Sequence, residues 1–209
     1  MKVTLVDHMG SDLSVVNAAR VSFAKTSDWD SIPDVGEVKG YLKVDDERLI
    51  KYLAKHDHWS PFGHASMQFH IKAPVFVARQ LVKHQVGLVW NDEPEFYTPK
   101  EWRLRPEKSI KQGSSEETIE YQLGSTLEFI KTSYQNMLKL GIAPEMARMI
   151  LPQSMYTEWY WSGTLMAFAR VCNLRCKPDA QKETQMVADQ IDNLARDLFP
   201  NSWEALREL

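Results

Sequence analysis

The sequence predicts a helix-rich α+β (mixed α/β) fold with a small sheet. Three observations lead to this prediction: a few short segments alternate polar and apolar residues, several longer segments have helical periodicity, and no internal repeat is present. The length of 209 residues lies in the range of one ordinary globular domain. We therefore expect a single domain over residues 1–209.

Three segments have the composition of strands. The opening KVTLVDH places Val3 and Leu5 between polar neighbours, HASMQFHIKAP alternates from Ala65 to Ile71, and QSMYTEWYWSG is aromatic and β-prone. The aromatic run of the third segment is suited either to stacking on a heterocycle or to filling a sheet–helix interface. We favour the interface, because half-buried strands need large residues at alternating positions.

The predicted helices are bounded by capping residues and prolines. One helix is predicted in SDLSVVNAARVSF, with Ser11 or Asp12 as its N-cap, and another in DDERLIKYLAKH, which has an apolar stripe. Further helices are predicted from Pro74 to residue 85, from Ser114 or Ser115 to Gly141, between Pro144 and Pro152, over 164–175, and from Pro178 to residue 199. Residues 26–44 are polar and contain one proline and two glycines, so we expect a surface loop.

Composition and charge limit the possible partners. A formal net charge of -3 and a pI near 6.1 give no global attraction to nucleic acid or anionic lipid, so an anionic ligand should be small and locally bound. No apolar run approaches the roughly 20 residues that span a bilayer, and the N-terminus lacks a long apolar signal core. We expect a cytoplasmic protein that binds neither a nucleic acid polymer nor a membrane.

The two cysteines, Cys172 and Cys176, are spaced as neighbours on one face of a helix. This spacing is neither a disulfide framework nor a four-ligand zinc pattern, and it suits a reducing compartment. A catalytic thiol needs a nearby base or cation, for which Arg175 is the candidate. Buried packing residues are the favoured interpretation, since free cysteine is often simply core.

The histidine-rich segment KHDHWSPFGH, together with His70 and His84, admits a metal site as one interpretation. Catalytic zinc sites usually add a carboxylate or cysteine in a recognisable motif, and no HExxH-type motif is present, so we predict no metal. His58 and Ser60 precede Pro61, where a ligand-binding loop and a hydrated turn are equally consistent with the residues.

Arg148 and Arg175 lie among apolar neighbours, in EMARMIL and VCNLRC. A charge in such a place is costly unless a carboxylate or phosphate pairs with it. An anionic ligand and an internal ion pair with Glu145 or Glu183 are both solutions, and the residues alone do not decide between them. GxGxxG and GxxxxGK[ST] are absent, so a bound flavin or nucleotide needs another architecture.

Six stretches resemble the flavin-dependent thymidylate synthases, in the same order along the chain. They are AARVSF at 18–23, HDHWSPFGH at 56–64, FHIKAPVFVARQLVKHQ at 69–85, APEMARMILP at 143–152, YTEWYWSG at 156–163 and LRCKPDAQKE at 174–183. This collinearity is more specific than any single motif. The resemblance implies a mixed α/β fold with a mostly antiparallel sheet, assembled as a homotetramer whose active sites are built from several subunits.

The resemblance also implies an activity. Members of the family convert dUMP to dTMP with FAD, NADPH and methylenetetrahydrofolate, and reduced flavin mediates both methylene transfer and reduction, so no protein thiol attacks uracil. One alternative on the same scaffold is hydroxymethylation of dUMP, through water capture of the methylene adduct. The other is a catalytically inert nucleotide- or flavin-binding homologue.

Roles follow from the resemblance position by position. Gln80, Lys83, Arg148 and Arg175 match positions that hold the nucleotide. Arg175 is the predicted catalytic residue, because its counterpart is thought to stabilise ionisation at uracil N3, and a planar, permanently charged guanidinium suits that task. The positions that match flavin binding are Ser22, His58, Ser60, Lys83, His84, Gln85, Asn91, Thr164 and Arg170.

The chain departs from the family pattern at several of these positions. Lys83-His84-Gln85 stands where Arg-His-Arg is common, Thr164 and Met166 stand where Asn and Arg are often found, and Asp179 stands where a histidine is usual. Lysine keeps one charge but loses the bidentate fork of arginine, and glutamine loses a charge. The flavin phosphates would therefore be held differently.

After Asn91 the chain passes directly into DEPEFYTP, whereas the family has about seven further residues in a segment that meets substrate and flavin. Either the chain lacks this segment, as a damaged or repurposed enzyme would, or a mobile loop is unobserved and the numbering closes over it. We favour the second explanation, because the helices on both sides keep the family's pattern.

Overall fold

The elements of the fold come from a computed structural model, which describes residues 1–30, 40–81, 86–89, 94–107 and 113–207. The strands are β1 (Lys2–Met9), β2 (Ser66–Pro74), β3 (Val86–Val89), β4 (Trp102–Arg103), β5 (Thr118–Ile119) and β6 (Tyr156–Thr164). The helices are α1 (Asp12–Arg20), α2 (Val44–Lys55), α3 (Val75–Leu81), α4 (Gly124–Lys139), α5 (Pro144–Ala147), α6 (Leu165–Arg175), α7 (Lys182–Leu198) and α8 (Pro200–Arg207). Short 3-10 turns lie at Val21–Phe23, Pro61–His64 and Arg148–Ile150. The predicted helix-rich α+β fold is confirmed.

One face of an antiparallel sheet, in the order β1-β2-β6-β3, forms the core. Phe69 of β2 pairs with Trp161 of β6, and both rings meet the edge of Phe168 from α6 at centroid distances of 5.0 and 5.1 Å. Trp159 is likewise buried, while Tyr160 between the two tryptophans is exposed. The alternation predicted for these strands is confirmed, and the tryptophans of the aromatic run pack in the core.

The C-terminal helices close over this face, since α6 contacts β6 and α7, α7 contacts β1, and α8 contacts α2. Asp12, at the start of α1, is buried because its carboxylate accepts hydrogen bonds from the backbone N–H groups of Asn201 and Ser202, each at 2.9 Å. These are unpaired donors in the first turn of α8, where a carboxylate is favourable. The start of α1 is thereby joined to the start of α8. No helix among the described residues is long and apolar enough to cross a membrane.

Three helix starts differ from the sequence prediction. The helix expected from Ser114 begins at Gly124, because the segment before it pairs with β4 instead: Leu104 N–H donates to the Glu117 carbonyl at 2.8 Å. The helix expected from Pro178 begins at Lys182, and Pro74 ends β2, so that α3 begins one residue later. Tertiary pairing outweighed local helix propensity in the first case.

Two predicted segments lie partly outside the described residues. Of the predicted 26–44 loop, the structure describes residues 26–30 and 40–44, where Asp30 N–H donates to the Tyr41 carbonyl at 2.8 Å. Of the helix predicted to residue 85, it describes Val75–Leu81 as helical.

Candidate active site

Three predicted residues from two segments line one cavity. Ser22 lies in the turn after α1, His58 and Ser60 lie in the loop after α2, and all three border a space of about 850 Å³. This volume is within the usual range of small-molecule sites, about 300–1,000 Å³. We call it the α1–α2 cavity. The structure therefore brings together three of the predicted flavin residues.

A buried ion pair holds the wall of the α1–α2 cavity in place. The Asp46 carboxylate of α2 is fully buried and accepts hydrogen bonds from Arg20 Nε at 3.0 Å, from Arg20 Nη2 and from the Ser27 hydroxyl. Asn17 adds two hydrogen bonds with the Ser27 backbone, at 2.7 and 3.0 Å. Arg20 and Ser27, which flank the turn that carries Ser22, are thus tied to α1 and α2.

The chemistry of the α1–α2 cavity fits a flavin. Phe23, Tyr52 and Trp59 present exposed aromatic rings along the lining, and such rings can stack on a planar fused heterocycle. The His58 ring meets Tyr52 edge-on at a centroid distance of 5.9 Å. Lys25 supplies a cation on the same lining, which suits a phosphate.

The second cluster joins Arg175 to Gln80. Arg175, the last residue of α6, donates from Nη2 to the Gln80 backbone carbonyl of α3 at 3.4 Å. The Gln80 side chain donates from Nε2 to Gln181 Oε1 at 2.5 Å and accepts from the Thr184 hydroxyl at 3.0 Å. Two residues predicted to bind the nucleotide are therefore neighbours, next to the N-terminus of α7.

Sequence reasoning missed Arg103 and Tyr97, the partners of Glu183 in this cluster. Glu183 is 3% exposed, and both its oxygens accept from Arg103 Nη2, at 2.6 and 2.8 Å. Burial by itself raises the pKa of Glu183, but the hydrogen bonds and charge of Arg103 outweigh burial and hold the pKa below its ordinary value. Tyr97 donates its hydroxyl to Glu183 Oε1 at 3.2 Å, and burial together with the carboxylate charge raises the pKa of Tyr97 to about 12.

A second cavity, of about 750 Å³, adjoins this cluster. We call it the α7 cavity; its lining includes Tyr97, Arg103, Cys176, Lys182 and Glu183. No signal in the sequence marked Arg103, because it lies in a polar segment far from the motifs and meets Glu183 only in the folded chain.

The remaining predicted residues occupy separate positions. Arg148 is half-buried in the 3-10 turn after α5, which packs on α4, and Arg170 is exposed on α6. The Thr164 hydroxyl accepts from Ala167 N–H at 3.2 Å and so caps α6, which is a structural use of that side chain. Lys83, His84, Gln85 and Asn91 lie outside the described residues.

Cys172 is buried, as the packing interpretation predicts, and its thiol faces the Ala188 carbonyl at 3.6 Å. A hydrogen bond with Cys176 and burial raise the pKa of the Cys172 thiol, which disfavours the thiolate that a nucleophile needs. The ligating atoms of both cysteines and Asp192 lie within 4.8 Å of one another. Asp192 Oδ1 already accepts from Trp203 Nε1 at 3.0 Å and Arg207 Nε at 2.6 Å, so a cation would have to displace these donors.

The interpretation of an unobserved loop after Asn91 is wrong, because the 209-residue sequence runs continuously from Asn91 to Asp92. A relative from Thermus thermophilus, named flavin-dependent thymidylate synthase, aligns over 218 positions with 35% identity, covering 99% of this chain and 75% of its own length. Since 218 positions exceed 209 residues, at least nine are occupied in the relative alone. This chain therefore lacks residues that its relative has.

Other comparisons cover nearly the whole chain. The family model of the thymidylate synthase complementing protein matches residues 4–201. A flavin-dependent thymidylate synthase of Kosmotoga olearia is 37% identical, over 97% of this chain and 88% of its own length. The crystal structure of a UMP/dUMP methylase, PolB from Streptomyces cacaoi bound with 5-Br dUMP, superposes with a TM-score of 0.75 at 30% identity, over 100% of this chain and 95% of that one. The chain therefore belongs to the flavin-dependent thymidylate synthases, a family of enzymes.

Proposed function

We propose that this enzyme converts dUMP to dTMP, with the one-carbon unit taken from methylenetetrahydrofolate and the reducing equivalents from NADPH through bound FAD. The observation that carries this proposal is the hydrogen bond from Arg175 Nη2 to the backbone carbonyl of Gln80, which makes these residues of α6 and α3 neighbours. Both residues match nucleotide-binding positions of the family to which the chain belongs.

Arg175 acts on the uracil ring in this proposal. Its guanidinium remains charged at any working pH and donates in a fixed plane, so it stabilises negative charge that develops when uracil N3 ionises. That charge increases the nucleophilicity of uracil C5. Beyond its two side-chain contacts with described residues, Gln80 has one further N–H and one further oxygen lone pair that the nucleotide would use. Arg148 and Lys83 complete the set of nucleotide residues.

Ser22, His58 and Ser60 would hold the flavin in the α1–α2 cavity, with the aromatic side chains of the lining against its ring system. Bound flavin supplies methylene transfer and reduction. Thr164, Arg170, Lys83, His84, Gln85 and Asn91 are the further proposed cofactor residues. The inert alternative is not favoured, because the family match covers residues 4–201, on both sides of Asn91.

We further propose a homotetramer with shared active sites. Large apolar side chains are exposed beside the proposed residues: Phe23 next to Ser22, and Met146 and Met149 beside Arg148. Such side chains next to polar ligand residues are typical of an interface that completes a site. Light scattering should give four times the chain mass of 24.2 kDa. Mixing an Arg148→Ala variant with an Arg175→Ala variant should restore part of the activity if the two residues serve one site from different subunits, and would restore none otherwise.

The deciding experiment is a product assay. The flavin-loaded protein is incubated with dUMP, methylenetetrahydrofolate and NADPH, and the nucleotide product is weighed by mass spectrometry. We expect dTMP; a product heavier by one oxygen would mean hydroxymethylation, and absence of any product would refute the proposal. UMP is assayed in parallel as a second candidate substrate, because the structural neighbour PolB is a UMP/dUMP methylase.

A pair of arginine variants separates the role of Arg175 from a general loss of charge. Arg175→Ala should abolish turnover while flavin absorbance is retained. The control is Arg196→Ala on α7, which removes a cation that pairs with the Asp192 carboxylate one turn away, at 3.3 Å. This control should leave turnover unchanged. Retained turnover in Arg175→Ala would remove Arg175 from the catalytic residues.

A further inference from the structure

Four side chains form a continuous hydrogen-bonded series that ends at Gln80. Arg103 donates to Glu183, Gln181 Nε2 donates to Glu183 Oε2 at 3.2 Å, and Gln80 Nε2 donates to Gln181 Oε1 at 2.5 Å. The hydroxyl of Thr184 donates to the other end of the Gln80 amide, at 3.0 Å. Gln80 is thus held at both ends of its amide by residues of α7 and the turn before it.

The direction of this series is set by the carboxylate. An ionised carboxylate only accepts hydrogen bonds, so Gln181 must turn its NH₂ group toward Glu183 and its oxygen toward Gln80. Gln80 must then turn its NH₂ group toward Gln181, which leaves its oxygen facing Thr184. A reversed Gln80 amide would place two carbonyl oxygens against each other.

Burial makes this orientation costly to reverse. Glu183 and Thr184 are both buried, so water does not readily replace a lost partner. Arg103, whose side chain is 28% exposed, donates from Nη2 to both oxygens of Glu183 and so keeps Glu183 ionised and purely an acceptor. The charge on Glu183 is the source of the polarity of the whole series.

We propose that Glu183, acting through Gln181, is a positioning residue that fixes the orientation of the Gln80 amide and so determines which hydrogen-bonding group Gln80 turns to the nucleotide. This inference rests on the proposed function, in which Gln80 contacts dUMP. Neither Glu183 nor Gln181 touches the nucleotide in this arrangement; they act through Gln80. A uracil ring presents hydrogen-bond donors and acceptors in a fixed order. A reversed Gln80 amide would therefore place a donor against a donor or an acceptor against an acceptor.

The test compares dUMP affinity in two variants. Glu183→Gln replaces the obligatory acceptor with an amide that can donate or accept, so Gln80 loses its fixed orientation, and the Kd for dUMP should rise about three- to tenfold, the effect of one lost hydrogen bond. Adding Gln181→Glu moves the carboxylate next to Gln80, where it again accepts from Gln80 Nε2. The double variant should therefore recover most of the affinity.

Thermal stability measured on the same proteins separates positioning from a structural role. Both variants change the buried pair with Arg103, so both should melt below the wild type, yet only the single variant should bind dUMP weakly. If affinity instead follows the melting temperature across the variants, or if Glu183→Gln binds dUMP like the wild type, the positioning role is refuted.

A second measurement needs no nucleotide. In a double-mutant cycle of Gln80→Ala and Glu183→Gln, the loss of melting temperature caused by Gln80→Ala should be smaller when Glu183→Gln is already present, because the series is already broken. The matched cycle of Gln80→Ala with Arg196→Ala should be additive. Additivity in the first cycle would overturn the inference. A wild-type protein that binds no dUMP would instead refute the proposed function, while the cycle would still decide whether Glu183 orients Gln80.

Discussion

Replacing Asp46 by Asn should destabilise the protein and weaken flavin binding together. The carboxylate of Asp46 is 0% exposed and is the acceptor for the Arg20 guanidinium and the Ser27 hydroxyl. Asn keeps the size of the side chain but loses the charge, and its NH₂ group cannot accept the hydrogen bonds that the second carboxylate oxygen accepts. The change therefore leaves Arg20 without its counter-charge at a position that ties α1, α2 and the Ser22 turn together.

The expected loss can be bounded from the burial of the two partners. Removing one partner of a buried ion pair costs about 3–5 kcal/mol. Arg20 is 26% exposed, so water can solvate part of the guanidinium after the change. We therefore expect a value near the lower end, about 3 kcal/mol in the free energy of unfolding. That is a large share of the roughly 5–15 kcal/mol that stabilises a typical domain.

The assay is urea unfolding followed by circular dichroism, at one fixed protein concentration and without added flavin, since a bound ligand stabilises the folded state. Flavin affinity is measured separately by fluorescence quenching. Asp45→Asn is the matched control: the same substitution one residue away, on a side chain that is 81% exposed and pairs at 3.2 Å with Arg48, which is 76% exposed. Exposed pairs contribute little, so this control should unfold near the wild-type midpoint.

An Asp46→Asn protein that unfolds at the same urea concentration as Asp45→Asn would refute the argument from the buried pair. A protein that is destabilised but binds flavin normally would refute the second step, in which the pair positions the wall of the α1–α2 cavity.

Three further predictions follow from the site. The pKa of Glu183 is held below its ordinary 4.5, so ionised Glu183 stabilises the fold above that pH. The difference in unfolding free energy between wild type and Glu183→Gln should therefore shrink as the pH falls below 4.5. A difference that stays constant with pH would contradict this prediction. The pKa of Tyr97 is raised to about 12, so absorbance at the phenolate band should show one tyrosine ionising well above pH 10, and that step should be missing in Tyr97→Phe. Thr164→Ala should cost about 1 kcal/mol of stability by removing the cap of α6, whereas Thr164→Ser should not; equal losses would show that the hydroxyl is not the cause.

The strands and several helices could be predicted because their patterns are local. Period-two alternation in β2 and β6 and the helical stripe of α2 require only that one face be buried. The helix predicted from Ser114 failed at its start because residues 115–119 pair with β4, and no local pattern carries information about a partner more than ten residues away. Sequence periodicity therefore does not predict which distant segments pair with each other.

The residues of the candidate site likewise fall into those that motifs predict and those that only tertiary contacts reveal. Ser22, His58 and Ser60 were identified through motifs, and the structure places them on one cavity. Arg103 was missed, because its role depends on a contact with Glu183 across eighty positions of the chain. A buried carboxylate in LRCKPDAQKE could have indicated that a cation was needed, but not which one.

The sequence by itself determined the family, the residues proposed to bind nucleotide and flavin, and the strands whose alternation makes the core, because these are written in local order along the chain. Only the tertiary structure decided which side chains meet: that Arg175 lies against Gln80, that Glu183 pairs with Arg103, and that Asp46 joins the first two helices. The physical reason is that a buried charge needs a partner, and many residues of suitable chemistry compete for that place until packing brings one of them within hydrogen-bond distance.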